Sequence, residues 1–286
     1  MGESRTIRMK ASTHVVSEGA GFLVRRPAAM GQLMSPFLLL DEMGPAVYGP
    51  GEAVGAPWHP HRGFETVTYL LDGEFEHQDS AGHKGTLQPG DVQWMTAGRG
   101  VIHSEEPSKK IIDEGGRVHG FQIWVNLPAE HKMMSPRYQD IASEESPIVE
   151  KDGVWARVIA GEILGTKSSI DTVIPISMIH VRMEKGSSLN KKLDDGLNCM
   201  LYMMKGEVQM SNEIGKEHQL LLLSSDGDVD LTATEDSEFL ILAGPEINEP
   251  IARYGPFVMN TREEIIRAIE DYNNGTFLDH DFVMPV

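Results

Sequence analysis

The chain has 286 residues, 40% apolar and 24% charged, which is globular composition with enough length for one large core or two smaller ones. Its 25 Lys plus Arg against 43 Asp plus Glu give a formal charge of −18 that both halves share, and so exclude a basic arm for phosphate backbones or anionic lipid. The single cysteine, Cys199, excludes an intrachain disulfide.

The start of the chain shows no apolar signal core, and no apolar run nears the ~18 residues of a membrane span. The expected setting is therefore cytoplasmic, with no direct nucleic-acid partner and no membrane association. The 29 glycines and 16 prolines punctuate short segments rich in Val, Ile, Thr and aromatics, a pattern that predicts an all-β fold of barrels or sandwiches.

In chain order, residues 66–71 and 74–78 flank Asp72-Gly73, a dipeptide that accepts positive φ, and are expected to pair as a hairpin. A strand over 92–96 follows the turn Pro89-Gly90-Asp91. Gly98-Arg99-Gly100 reverses the chain into a strand over 101–105, and 120–127 is a strand ended by Pro128. Residues 132–153 are polar and broken by Pro136 and Pro147, so they are read as a linker between an N-terminal domain, 1–131, and a C-terminal domain, 154–286. Within a predicted strand over 198–204, Cys199 reads as a buried, inert thiol. The last element is a helix over 262–273. Thr261 and Glu264 have the capping-box spacing, Ile265, Ile266, Ile269 and Tyr272 line one face, and Asn274-Gly275 can end it.

The chain repeats itself. Residues 63–74 align with 196–207 without a gap at an offset of 133, with four identities, and Gly90-Asp91-Val92 matches Gly227-Asp228-Val229. Two related β units in tandem are the natural inference.

Histidine is unevenly placed: His59, His61, His77, His83, His103, His119 and His131 account for seven of the 11. Two pairs stand out, His59-Pro60-His61 and His103-Ser104-Glu105. In a strand, residues i and i+2 share a face, so each pair aims two ligands one way, and two such strands facing each other make a four-ligand site. Imidazole and carboxylate donors suit first-row metals such as iron, nickel, copper, manganese or zinc, and the lack of thiolates disfavours structural zinc. The competing reading is chance, since surface or core histidines also fall two apart. His77, His83 and His119 read as supporting or surface histidines, while His14, His180, His218 and His280 have no partner pattern.

The run HPHRGFETVTYLLDGEFEHQDSAGHKGTLQPGDVQWMTAGRGVIHSEEP, with FLLLDEMGP ahead and GFQIWVNLP behind, resembles the pirin family of the cupin superfamily, strongly over 37–128 and more weakly beyond. The resemblance implies two antiparallel β-barrels of cupin (jelly-roll) type face to face, plus the short C-terminal helix. It also implies one mononuclear divalent metal in the first barrel, held by His59, His61, His103 and Glu105. Fe(II) is the expected ion, with Ni, Cu, Mn, Co or Zn as alternatives. Glu65, at a spacing where many cupins place a ligand, is given only a supporting hydrogen bond.

At the offset of 133, His59 and His61 fall on Lys192 and Asp194. The segment corresponding to 91–121 is also 19 residues shorter, so the second pair's strand is expected to be absent and the C-terminal barrel metal-free. The resemblance further implies a quercetin 2,3-dioxygenase-like activity on a small aromatic, flavonol-like substrate and dioxygen, with ring cleavage and CO release, and Glu105 as the base for the flavonol 3-hydroxyl. Its alternative is a non-enzymatic, iron-dependent redox regulator that binds protein partners. The chain has no Lys/Arg nuclear-localisation run to favour that reading.

Overall fold

The structure, a computed structural model, describes residues 4–29 and 31–279. The strands begin with β1 (Ile7–Glu18), β2 (Phe22–Pro27), β3 (Phe37–Tyr48), β4 (Ala56–His61), β5 (Phe64–Asp72), β6 (Phe75–Asp79) and β7 (Lys84–Leu87). They continue through β8 (Val92–Thr96), β9 (Val101–Pro107), helix α1 (Lys109–Glu114), β10 (Gly116–Asn126), β11 (Arg137–Ile141), β12 (Ile148–Lys151), β13 (Val154–Ala160) and a small hairpin, β14 (Glu162–Ile163) and β15 (Thr166–Lys167). The remainder is β16 (Ser177–Met183), β17 (Ser188–Lys191), β18 (Asn198–Lys205), β19 (Glu207–Met210), β20 (Glu213–Lys216), β21 (Gln219–Leu223), β22 (Val229–Ala233), β23 (Ser237–Gly244), β24 (Ala252–Tyr254), β25 (Phe257–Met259) and helix α2 (Arg262–Asn273). The chain is mostly β, as expected. Helix α1 adds to the one helix predicted; its six residues are too few to show a period, and Ser108 caps it by accepting the Ile111 N–H.

Two compact units form, each from separated segments. The histidine-bearing unit takes 15–26, 37–143 and the chain from 247 onward; the second takes the residues before 15, 27–36 and 144–246. This differs from the contiguous division at 131 and 154. Residues 137–141 of the expected linker are strand β11, paired with β8. The buried Lys132 amine donates to Gly63 O (2.8 Å), Asn126 Oδ1 (2.7 Å) and Val258 O (3.1 Å), which ties the last segment to the histidine-bearing unit. Arg62 adds a bond to Asp271 Oδ2 (2.6 Å) and lies 4.3 Å over the Phe277 ring. A C-terminal segment can therefore line this unit's cavity.

Each unit has two antiparallel sheets in the same plan. In the histidine-bearing unit the orders are β11-β8-β5-β10-β3 and β4-β9-β6-β7; in the second they are β1-β21-β18-β23-β16 and β17-β22-β19-β20. The inferred duplication is thus visible as topology. Central strands β5 and β18 are buried on both faces, β18 as a near-continuous apolar run and β5 as apolar residues interleaved with Glu65, Thr66 and Thr68. Gly73 (φ +93°) and Gly206 (φ +75°) end them at equivalent turns. A Cβ there would lie 2.9 Å from Arg117 O and 2.3 Å from Asp236 O, so glycine is required at both.

Four expectations need correction. The Asp72-Gly73 turn does not close a hairpin: β5 pairs with β8 and β10, while β6 pairs with β7 and β9, so the turn hands the chain from one sheet to the other. The Gly90-Asp91-Val92 match is out of topological register, because β8 corresponds to β21, whereas β22 occupies the place of β9. The strand expected to be missing from the second unit is therefore present as β22, and its partner β17 ends at Lys191, before the Lys192 and Asp194 that the offset picked out. On α2 the capping box forms, with Thr261 Oγ1 accepting from Glu264 N and Glu264 Oε2 accepting from Thr261 N. Its buried stripe is Ile265 and Ala268 with partly buried Ile269, however, and Ile266 and Tyr272 are exposed.

Candidate metal centre

Strands β4 and β9 pair with His59 directly opposite His103, and the period of two brings His61 to the same side. The three rings converge, with centroids 4.4 Å (His59–His103), 4.6 Å (His59–His61) and 4.9 Å (His61–His103) apart. One nitrogen from each lies within 4.8 Å of the others. His59 Nδ1 donates to Pro57 O (2.7 Å), which leaves a lone pair on Nε2, 2.9 Å from His61 Nε2. Two nitrogens each ~2.1 Å from one ion at a right angle would stand ~3.0 Å apart.

His61 and His103 are buried, and burial first, then the neighbouring imidazoles, holds both well below the usual histidine range. Neutral rings keep the lone pairs a metal needs. His103 Nε2 is buried with no hydrogen-bond partner among the described residues, while its Nδ1 lies 3.1 Å from His77 Nε2. When Nε2 is the ligating atom, the proton sits on Nδ1 and is donated to His77, so His77 fixes the tautomer. Tyr138 O–H lies 3.3 Å from the same His77 nitrogen. An all-nitrogen cluster with an orphaned buried lone pair fits a first-row metal.

Glu105, the fourth expected ligand, stands beside this group rather than in it: Oε2 is 4.0 Å from His103 Nε2. Its carboxylate accepts from Thr68 Oγ1 (2.7 Å) and Gln122 Nε2 (3.4 Å). Thr68 and Gln122 are register partners on β5 and β10, and both escaped the sequence reading; their signal, inward positions on paired strands, is visible only once the pairing is known. Glu65 accepts from Thr96 Oγ1 (2.6 Å), its register partner, and is absent from the cavity lining. His83 pairs with Asp79 (2.8 Å), His119 with Glu42 (2.9 Å) and His180 with Glu238 (2.8 Å), all outside the cluster. His280 lies outside the described residues. Burial pushes the Cys199 thiol up to about 12, consistent with an inert sulfur.

The cluster opens on a cavity of about 460 Å³. His59, His61, Thr68, Glu105 and Gln122 line one part of it; Phe22, Val24, Leu39, Met43, Phe75 and Trp124 give it apolar walls. All of these residues belong to the histidine-bearing unit. The size suits a small-molecule site.

Fold and site together define a two-unit, cupin-like β protein with a three-histidine centre in one unit. The chain matches the family model Pirin over residues 20–125 and the Pirin C-terminal cupin domain over 178–278, and it belongs to the pirin family. It is similar to a Pirin-like protein of Solanum lycopersicum, 41% identical over 278 residues that cover 95% of this chain and 92% of that one. It is also similar to Pirin of Homo sapiens, 40% identical over 283 residues, covering 96% and 94%. Among solved structures it resembles a crystal structure of quercetin 2,3-dioxygenase from Acinetobacter baumannii, 38% identical, with a TM-score of 0.91 over 96% of this chain and 99% of that one. Among the described residues no helix is long and apolar enough to cross a membrane.

Proposed function

We propose that the protein is a mononuclear metal-dependent dioxygenase acting on flavonol-like aromatic substrates, with ring cleavage and release of carbon monoxide. The observation that carries this reading is the three-histidine cluster opening on an apolar-walled cavity; the likeness to a quercetin 2,3-dioxygenase structure supports it. His59, His61, His103 and Glu105 would hold one divalent ion, Fe(II) in this reading. When bound, the ion supplies a Lewis acid and a site where an electron-rich substrate meets dioxygen. Each unit is read as a cupin barrel, and the cytoplasm as the compartment.

The chain's own residues do the rest. The apolar walls strip water from a planar ring system and strengthen every polar interaction at the metal end. Glu105 is the proton acceptor for the substrate hydroxyl. Thr68 Oγ1 is 2.7 Å from both Glu105 Oε1 and Gln122 Oε1 but has one hydrogen to give. It donates to Glu105 while that carboxylate is ionised and turns to Gln122 when Glu105 takes a proton, so the network serves both states. The test is reconstitution with iron(II) under anaerobic handling, followed by flavonol absorbance and dioxygen uptake. Turnover that His59→Ala abolishes supports the reading. Fully metallated protein with no turnover would reject it in favour of the redox-regulator alternative.

A further inference from the structure

The cavity holds two guanidinium groups in opposite states. Arg26 is held by carboxylates: it donates to both oxygens of Asp41 (2.5 Å each) and to Glu18 Oε1 (2.6 Å). Arg253, an exposed residue on the β24–β25 hairpin at the cavity wall, has no carboxylate of the described residues within ion-pair distance. Its guanidinium lies 4.5 Å over the Trp124 ring.

Stacking fixes the plane of a guanidinium and leaves its in-plane N–H donors pointing outward, the arrangement that meets an oxyanion bidentately. Partial desolvation of the guanidinium, then the nearby Arg26 charge, lowers its pKa, with Asp41 and Glu18 opposing. The same Trp124 stands edge-on to His61, with centroids 5.5 Å apart, so the guanidinium carbon is at most about 10 Å from the His61 ring. Two fused rings carrying one substituent fit within that limit.

We propose that Arg253 sets substrate choice: the cavity takes a flat aromatic molecule with oxygen donors toward His59, His61 and Glu105 and an anionic oxygen, carboxylate or acidic phenol, at its far end on Arg253. This rests on the reading of the cavity as an aromatic-substrate site and narrows its substrate class.

The experiment is calorimetric binding, without turnover, of 6-hydroxy-2-naphthoate, 2,6-dihydroxynaphthalene and 2-naphthol to the full chain. The naphthoate should bind about tenfold more tightly than 2-naphthol, and the margin should shrink with added salt. The diol, neutral at pH 7, should bind about as 2-naphthol does; a margin equal to the naphthoate's would show hydrogen bonding and not charge at Arg253 and overturn the proposal. Arg253→Gln should bring the naphthoate-to-naphthol ratio close to one, and Arg253→Lys should keep part of it, since it retains charge without the fork. Arg117→Gln removes an equal charge outside the cavity and should keep the full ratio. An unchanged ratio in Arg253→Gln, or no preference in the wild type, overturns the proposal. Failure of all three probes to bind overturns the aromatic-site reading with it, whereas absent flavonol turnover alone touches only the dioxygenase assignment.

Discussion

The two units use one strand plan for opposite ends. Where β4 and β9 set His59 against His103, the equivalent pair β17 and β22 sets Leu189 against Leu231, and its other inward positions carry Lys191, Val229 and Ala233. Leu189, Val229, Leu231 and Ala233 join a core that spans both sheets of the second unit. Each buried leucine contributes roughly 1.5–3 kcal/mol relative to exposure, whereas a buried imidazole with an unpartnered nitrogen costs desolvation. The histidine-bearing unit thus gives up core stability for a ligand cluster, and the second unit shows what the same strands hold when packed for stability alone.

This contrast can be broken by single substitutions. The largest effect should come from His103→Ala, which removes a ligand without a large apolar loss: metal content should fall from one per chain to none by elemental analysis, with the circular dichroism spectrum retained. Leu231→Ala should do the reverse, costing about 2–5 kcal/mol in urea unfolding while leaving metal content unchanged. Equal metal loss in both variants would erase the distinction between the units.

His77→Leu removes the acceptor that fixes the His103 tautomer. It should weaken cobalt(II) binding by roughly 10- to 100-fold in chelator competition, with His77→Gln, which offers an amide oxygen, recovering most of it. Unaltered affinity in the leucine variant would show that His77 only fills space.

The smallest effect is a difference in acid sensitivity of the metal-free protein. His61, His77 and His103 are all lowered, chiefly by burial, so below pH 6.5 the unfolded chain binds protons that the folded unit does not, and stability falls as pH drops. Among the described residues the second unit has one such group, His180. Its partner Glu238, which burial alone would raise, is held at about 2 by hydrogen bonds from His180 and Arg182, so its contribution is lost only as pH falls from 4.5 toward about 2. Hydrogen exchange corrected for intrinsic rates should show β4, β6 and β9 losing protection before β18 and β23 as pH falls from 6.5 to 5. Simultaneous loss would argue against the assignment of the acid-sensitive groups.

Much of this contrast is legible in the sequence. His-x-His and His-x-Glu can be read because the two-residue period of a strand is local, and so can the Thr261/Glu264 capping box. The matched Gly73 and Gly206 turns reveal the duplication for the same reason. What escapes is set by distant partners. Nothing near Asp72-Gly73 says that β5 and β6 join different sheets, and Gly90-Asp91-Val92 and Gly227-Asp228-Val229 are alike as turns while leading into non-equivalent strands. Polar, proline-broken residues 132–153 read as a linker, yet Lys132 is buried because three acceptors from separate segments converge on it, and Tyr138 reaches His77 through the β11–β8 pairing. Arg253 could not be assigned to the cavity from sequence, because it lies 194 residues beyond His59 and enters the histidine-bearing unit only through the docking of the last segment.

One metal centre, in the histidine-bearing unit alone, is the state expected of the protein. Elemental analysis of untagged wild-type protein, His103→Ala and Leu231→Ala tests it directly. One equivalent of a first-row metal is expected in wild type and Leu231→Ala and none in His103→Ala. A metal-free wild type, two equivalents per chain, or metal retained in His103→Ala would contradict it.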